Sequence, residues 1–133
     1  DMFNLSQETI HSLFKEDVEL YFKTNNIVFT KDIKITGKTG FDHNIDFLVP
    51  ASKTKPERLI QTINTPRRDS ISLAVFAFND ISQVMSRQSK NYVIYNDTDK
   101  NVPTDPIEAL KNYDIMGIPW SKKEICISEY ELN

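Results

Sequence analysis

The sequence predicts an α/β (α+β) domain with a central mixed sheet flanked by helices. Apolar residues recur at three- and four-residue steps in two long segments, as on amphipathic helices. Three short segments between those helices are rich in apolar residues, and one of them alternates strictly between apolar and polar positions, as half-buried strands do. The second long helix separates the third predicted strand from the fourth. A connection of that length allows the fourth strand to pair in parallel with an earlier one.

The composition is that of one folded domain, and we predict a single domain over residues 1–133. Of the 133 residues 39% are hydrophobic and 26% are charged, with a formal net charge of −3. This apolar content argues against disorder, and a chain of this length can bury one core without a disulfide or a structural metal. Cys126 is the only cysteine, which excludes an internal disulfide and favours a reducing, cytoplasmic location. The sequence contains no apolar run of 18 residues, so it predicts no membrane span.

The first half of the chain predicts a helix followed by an antiparallel meander of three strands. The helix is capped by Asn4 or Ser6 and ends at Asn25–Asn26. The strands are predicted at 27–36, 43–49 and 57–64, with an irregularity at Lys31–Asp32 in the first of them. Strict alternation in the second strand predicts that His43, Ile45, Phe47 and Val49 share one face, and that Asn44, Asp46 and Leu48 share the other.

The second half predicts two helices that alternate with strands. Thr65 as N-cap and Pro66 at the first helical position open a long helix that runs to about Gln88. A buried strand at 91–96 follows it. Asp105–Pro106 then begins a third helix that runs to about Tyr113, and 117–120 forms an edge strand or extended segment. The pattern over 125–130 fits a strand or a helix equally well.

Asp46 stands in the centre of the second predicted strand, and the order of elements over residues 5–97 resembles the core of the restriction-endonuclease-like, or PD-(D/E)XK, nuclease superfamily. Members of that superfamily place an Asp on the second core strand and an acid-x-Lys pair on the third. The acids hold one or two Mg²⁺ ions and the Lys steadies the attacking water. At the positions of the acid and the Lys this chain has Gln61 and Ile63. The resemblance therefore implies a nuclease-like domain with an incomplete catalytic set.

The candidate catalytic residues are Asp46, Glu57 and Gln61: the resemblance places Asp46 and Gln61, whereas Glu57 at the start of the third strand would be a substitute that departs from its pattern. Asp46 would be a metal ligand only in an active enzyme, and Gln61 would be a weak one through its carbonyl oxygen. An active enzyme would also need substitutes for the missing groups. Glu16 or Glu19 of the first helix would supply a carboxylate, and Lys55 or Arg67 would supply the cation. The alternative is that Asp46 lies on a solvent-facing polar strand edge or accepts a hydrogen bond from a turn.

A cluster of basic residues predicts contact with nucleic acid on one face of the domain. Its members lie in the loop before the third strand, in that strand and at the start of the second long helix: Lys53, Lys55, Arg58, Arg67 and Arg68. Backbone N–H groups at the start of a helix add positive potential for phosphate. The alternative is a solvated basic loop without a ligand.

A second resemblance extends over nearly the whole chain. The segments 37–43 and 95–97, together with Ile118-Pro119-Trp120-Ser121, are similar to an uncharacterised bacterial domain family. Domains of that family usually form the C-terminal half of a two-domain protein. The resemblance implies a bacterial or phage source, a chain that is a C-terminal fragment of a longer protein, and an N-terminal domain as a further partner.

Three functions are compatible with these observations. The first is a catalytically degenerate nuclease-like domain that binds nucleic acid or a protein partner, in a phage-related or defence system, with no cofactor. The second is an active, divergent nuclease that depends on Mg²⁺ or Mn²⁺. The third is a protein-interaction module in which the basic loop has no role. Because Gln61 and Ile63 replace the acid and the Lys, the first, non-catalytic function is the one the sequence favours.

Overall fold

A computed structural model describes residues 6–98 and 101–132 of the chain. These residues form four α-helices, one 3-10 helix (Trp120–Lys122) and a five-stranded sheet. The strands are β1 (Thr30–Thr36), β2 (Asp42–Val49), β3 (Glu57–Ile63), β4 (Ser89–Tyr95) and β5 (Ile115–Pro119). The helices are α1 (Gln7–Thr24), α2 (Arg68–Ser82), α3 (Thr104–Asn112) and α4 (Ile125–Glu129). In the part of the chain that is described, no helix combines the length and the apolar character needed to cross a membrane.

The sheet is mixed, and its strands lie in sequence order from β1 to β5. The first three strands pair antiparallel, whereas β3 pairs with β4, and β4 with β5, in parallel. Helices α2 and α3 make the two crossovers that parallel pairing requires. The predicted fold class, a mixed sheet with an antiparallel three-stranded part and flanking helices, is confirmed.

Two apolar clusters lie on opposite faces of the sheet, as alternation along β4 shows. Tyr92 and Ile94 pack in one cluster with α1 and α4, on what we call the α1 face. Val93 and Tyr95 pack in the other cluster with α2 and α3, on the α2 face. Because both faces are covered, the strand is apolar throughout its second half.

Strand β2 changes face at its centre, so the prediction that His43, Ile45, Phe47 and Val49 share one face is wrong. Ile45 packs in the cluster of the α2 face, whereas Phe47 belongs to that of the α1 face. The irregularity in β1 explains the change, because Asp32 lies between the partners of these two residues and has a φ of +58°. This backbone distortion leaves both Asp46 and Phe47 on the α1 face.

Helix boundaries also differ from those predicted. Helix α2 begins at Arg68 rather than at Pro66, because the Ser70 hydroxyl accepts a hydrogen bond from Arg67 N at 2.9 Å and so closes the first turn. It ends at Ser82, before Gln88. Helix α3 begins one residue before Asp105, and the segment predicted as a strand or a helix at 125–130 forms the short helix α4 up to Glu129. Ser6 caps α1 by accepting from Thr9 N at 3.0 Å, while the alternative cap Asn4 lies outside the described residues.

Asp80 ties the turn between β1 and β2 to the end of α2. Its carboxylate accepts hydrogen bonds from Thr39 N at 2.9 Å and from Thr39 Oγ1 at 2.6 Å. His43 Nε2 lies 2.7 Å from the second carboxylate oxygen of Asp80, Oδ2. The hydrogen bond from the Thr39 side chain, and that from His43, lower the pKa of Asp80 although its burial acts in the opposite sense.

We expect this turn to make the domain sensitive to acid. Because the pKa of Asp80 is lower in the folded state, its ionised form stabilises the fold above its unfolded-state pKa of about 3.9. That stability is lost as the pH falls from there through the folded-state pKa. The free energy of unfolding, measured with urea at pH 7, 4 and 3, should therefore fall more steeply with decreasing pH for the wild type than for Asp80→Asn, whose side chain does not titrate. Equal pH dependence of the two proteins would contradict this assignment.

Candidate functional site

Strands β2 and β3 separate at the position where the nuclease resemblance places its acids. Their ladder runs from the pair Val49 and Arg58 to the pair Phe47 and Ile60. Beyond it, the amide of Gln61 bridges the two strands: Gln61 Oε1 accepts from Asp46 N at 3.0 Å, and Gln61 Nε2 donates to Asn44 O at 2.8 Å. A side chain inserted between two backbones holds them further apart than ladder hydrogen bonds do. This separation opens the site.

Asp46 is buried at the separation, and hydrogen bonds satisfy its carboxylate. The residue is 6% exposed. Its Oδ2 accepts from both the backbone N–H and the hydroxyl of Thr62, each at 2.8 Å. Its Oδ1 lies 3.5 Å from Lys15 Nζ and 3.5 Å from Asn44 Nδ2. A buried carboxylate is tolerated only when it is paired and hydrogen-bonded in this way.

Helix α1 supplies the cation of the site. Lys15 Nζ donates to Asp32 Oδ1 on β1 and faces Asp46 on β2, and Asn44 Nδ2 lies 3.4 Å from the same Asp32 oxygen. We call these four residues, Lys15, Asp32, Asn44 and Asp46, the Lys15 cluster. Partial burial works against the charge of Lys15, but its hydrogen bond to Asp32 and the nearby Asp46 raise the pKa of the ammonium. The hydrogen bond from Lys15 lowers the pKa of Asp32 in turn.

A cleft of about 480 Å³ opens beside the Lys15 cluster. Its wall runs from His11 of α1, past Asp46 and Gln61, to Arg67 and Ser70 at the start of α2. It therefore lies at the carboxyl end of β3. In sheets with parallel strands, this end is where ligands usually bind.

The structure brings Asp46 and Gln61 together, but it places the carboxylates of Glu57, Glu16 and Glu19 elsewhere. Glu57 stands at the opposite end of β3, about 13 Å from Gln61 along the strand, and pairs with Arg87 at 3.2 Å. On α1, Glu16 is exposed and Glu19 pairs with Lys23 and Lys31. None of these three glutamates lines the cleft.

The predicted basic residues do not form one surface. Arg67 lines the cleft and Arg68 follows it, whereas Lys53 and Lys55 precede β3 and so lie roughly 20 Å away along that strand. Lys55 is also engaged, because it donates to the backbone of Ser128 and lies 3.4 Å from Glu131.

Arg58 lies inside the domain rather than on its surface. It is 1% exposed, and its Nη2 donates to Pro50 O at 2.8 Å. Of the five residues proposed to contact nucleic acid, only Arg67 lines the cleft, because Arg68 lines a separate pocket between α2 and α3.

Sequence reasoning missed three residues of the site: Lys15, Asp32 and Thr62. Asp32 carried a signal, since it lies in the irregularity at Lys31–Asp32. Lys15 carried a weaker one, because it follows the buried Phe14 and so starts close to the sheet. No pattern in the sequence identified Thr62, since its role follows from the separation of β2 and β3.

The Mg²⁺ or Mn²⁺ that the nuclease resemblance implies does not fit these residues. Both oxygens of Asp46 face hydrogen-bond donors, one of them the ammonium of Lys15, and Gln61 Oε1 already accepts from a backbone N–H. Within residues 6–98 and 101–132 no group of three or more His, Cys, Asp or Glu side chains is placed to hold a metal ion.

The fold and the cleft define an α+β domain with a five-stranded mixed sheet and a polar site where β2 and β3 separate. Residues 37–123 match a family model described as a domain of unknown function, DUF1829. The match spans more than half of the chain, and the chain belongs to this family. The expected resemblance to an uncharacterised domain family is thereby confirmed. No curated protein and no solved structure matches the chain significantly.

Proposed function

We propose that this chain is a nuclease-like domain that has lost catalysis and binds nucleic acid at the cleft beside Asp46. The observation that carries the proposal is the state of Asp46 and Gln61. Both stand where the nuclease resemblance expects catalytic acids, and both are engaged in hydrogen bonds that hold the fold together. The element order of the superfamily, with an antiparallel meander followed by a parallel crossover, supports the same proposal.

The start of α2 supports binding of a phosphate backbone. This helix has 15 residues, and its N-terminal end adjoins the cleft at Arg67. The first N–H groups of a helix and its dipole both favour anions. The Arg67 side chain is 60% exposed and lies 3.8 Å from Asp69, a distance too long for a strong ion pair, so its guanidinium is accessible to a phosphate.

Fluorescence anisotropy with labelled single- and double-stranded oligonucleotides tests this proposal. We expect Arg67→Ala to weaken binding by about tenfold and to reduce the salt slope by about one, since one phosphate contact is lost. The matched control is Lys53→Ala, which removes the same charge from an exposed position at the opposite end of β3. We expect the control to bind as the wild type does.

The same oligonucleotides with Mg²⁺, Mn²⁺ or EDTA test for catalysis. We expect no cleavage, and binding that does not depend on the metal. Metal-dependent cleavage that Asp46→Asn abolishes would instead establish an active, divergent nuclease. If the wild type binds no oligonucleotide at low salt, nucleic-acid binding is excluded and the cleft becomes a candidate for a protein partner.

A further inference from the structure

We infer that the ammonium of Lys15 is the resident cation of the Lys15 cluster, which adjoins the cleft through Asn44 and Asp46, and that it takes the place of a divalent metal between Asp32 and Asp46. The inference rests on the proposed loss of metal catalysis at the same site and gives it a physical cause. The substitutions at Gln61 and Ile63 remove a metal ligand and a lysine from β3. Lys15 restores one positive charge to the site. It does so from α1, which precedes the three antiparallel strands in the chain.

The two carboxylates need a cation between them. Asp32 and Asp46 both approach the ammonium of Lys15, and Asn44 Nδ2 lies within 3.5 Å of one oxygen of each carboxylate. Without a positive charge, two ionised carboxylates sharing one site repel each other, and one would have to take up a proton. The Asp46 side chain is 9% exposed whereas that of Asp32 is 47% exposed, so water screens this repulsion from the side of Asp32 only.

Lys15 is also held in place, which a dissolved metal ion is not. Its neighbours on α1, Phe14 and Val18, are 4% and 0% exposed in the core of the α1 face. Since α1 cannot move away without exposing these side chains, the ammonium has a high effective concentration at the carboxylates. A divalent ion would have to displace it and leave the ammonium without its two partners.

Removal of the Lys15 charge should therefore create a metal site. Lys15→Met keeps an unbranched stem of similar length and leaves two carboxylates beside Asn44. Rotation of the Asn44 amide would then direct its oxygen at the position that the ammonium had occupied. The three oxygen donors, together with water, are a suitable set of ligands for a weakly held hard cation.

Calorimetry and electron paramagnetic resonance with Mn²⁺ as the probe measure this gain. We expect Lys15→Met to bind one Mn²⁺ with a dissociation constant on the order of 10⁻³ M, at least about tenfold tighter than the wild type. Lys15→Arg, which keeps the charge, and Lys15→Met/Asp32→Asn, which loses a ligand, are the controls and should bind as the wild type does. Tight Mn²⁺ binding by the wild type would overturn the inference.

A second measurement, the melting temperature, tests the inference even if Lys15→Met is less stable than the wild type. If the site binds Mn²⁺ only when folded, the melting temperature of this variant rises with Mn²⁺ concentration, and that of the wild type does not. Lys15→Gln, which also lacks the charge, should behave in the same way. If neither variant gains Mn²⁺ affinity, whether folded directly or refolded with the metal, the inference is wrong. This metal readout contains no nucleic acid, so its failure is distinguishable from failure of the proposed binding function.

Discussion

Replacement of Asp46 with alanine is expected to lower the free energy of unfolding by about 3 kcal/mol. The change leaves the buried N–H and hydroxyl of Thr62 without their acceptor, and it removes one of the two carboxylates that face Lys15. An unpaired buried donor costs more than the net value of the hydrogen bond that it made. The expected loss is therefore larger than that for a typical surface carboxylate.

Urea denaturation followed by circular dichroism measures this loss. The control is Asp17→Ala, an exposed position on α1, for which we expect a change of less than about 0.5 kcal/mol. Asp46→Asn should fall between the two, because an amide oxygen still accepts from Thr62 while the charge opposite Lys15 is gone. If Asp46→Ala is as stable as the wild type, the carboxylate is not structural and is free to serve a ligand.

This expectation determines how activity experiments should be interpreted. In a metal nuclease, loss of cleavage in an Asp-to-Ala variant normally identifies a ligand. Here the same variant would lose activity or binding through partial unfolding. Asp46→Asn, compared at a temperature where both proteins are folded, separates the two effects.

The sequence predicted the order and type of the elements because each is encoded locally. The apolar stripe of α1, the alternation in β2 and the apolar run of β4 each follow from residues within one segment. The long helix between β3 and β4 then limited the ways in which β4 could join the sheet, since a crossover helix favours parallel pairing. The pattern over 125–130 fits a strand and a helix equally well, because a five-residue helix such as α4 is too short to show the helical period of apolar residues.

The side-chain partners were not predicted, because they depend on contacts between segments. The face that Phe47 occupies depends on the φ of Asp32, which belongs to the neighbouring strand. The basic residues from Lys53 to Arg68 are close in sequence, but β3 extends between them and carries their charges to opposite edges of the sheet. Clustering in sequence predicts clustering in space only when no strand intervenes.

The Lys15 cluster combines two parts of the chain. Asn44 and Asp46 lie within the segment that matches the family model, whereas Lys15 and Asp32 precede it on α1 and β1. The site is therefore assembled only when α1 packs on the sheet.

The turn that precedes β2 gives the second large expected effect, at Gly37. A Cβ atom at this position would lie 1.9 Å from Asp80 Oδ2 and 2.3 Å from Asp80 Cγ, so Gly37→Ala must displace the carboxylate. Displacement breaks the hydrogen bonds of the Asp80 carboxylate to Thr39 and His43, and the turn then keeps only the backbone hydrogen bond from Lys38 N to Asp80 O at 3.2 Å. We expect a fall in melting temperature of roughly 10 °C, near the severe end for a single substitution.

A double-mutant cycle shows whether the cost of Gly37→Ala arises at Asp80. In the Asp80→Ala background the carboxylate is absent, so the added methyl group has room and Gly37→Ala should cost little. Gly40→Ala is the control for the same turn: apart from its two chain neighbours, no described residue would have an atom within 4 Å of the added Cβ, but the φ of +90° strains any residue with a side chain. It should cost about 1 kcal/mol in both backgrounds, because its strain is independent of Asp80. Equal costs of Gly37→Ala with and without Asp80 would contradict the steric explanation.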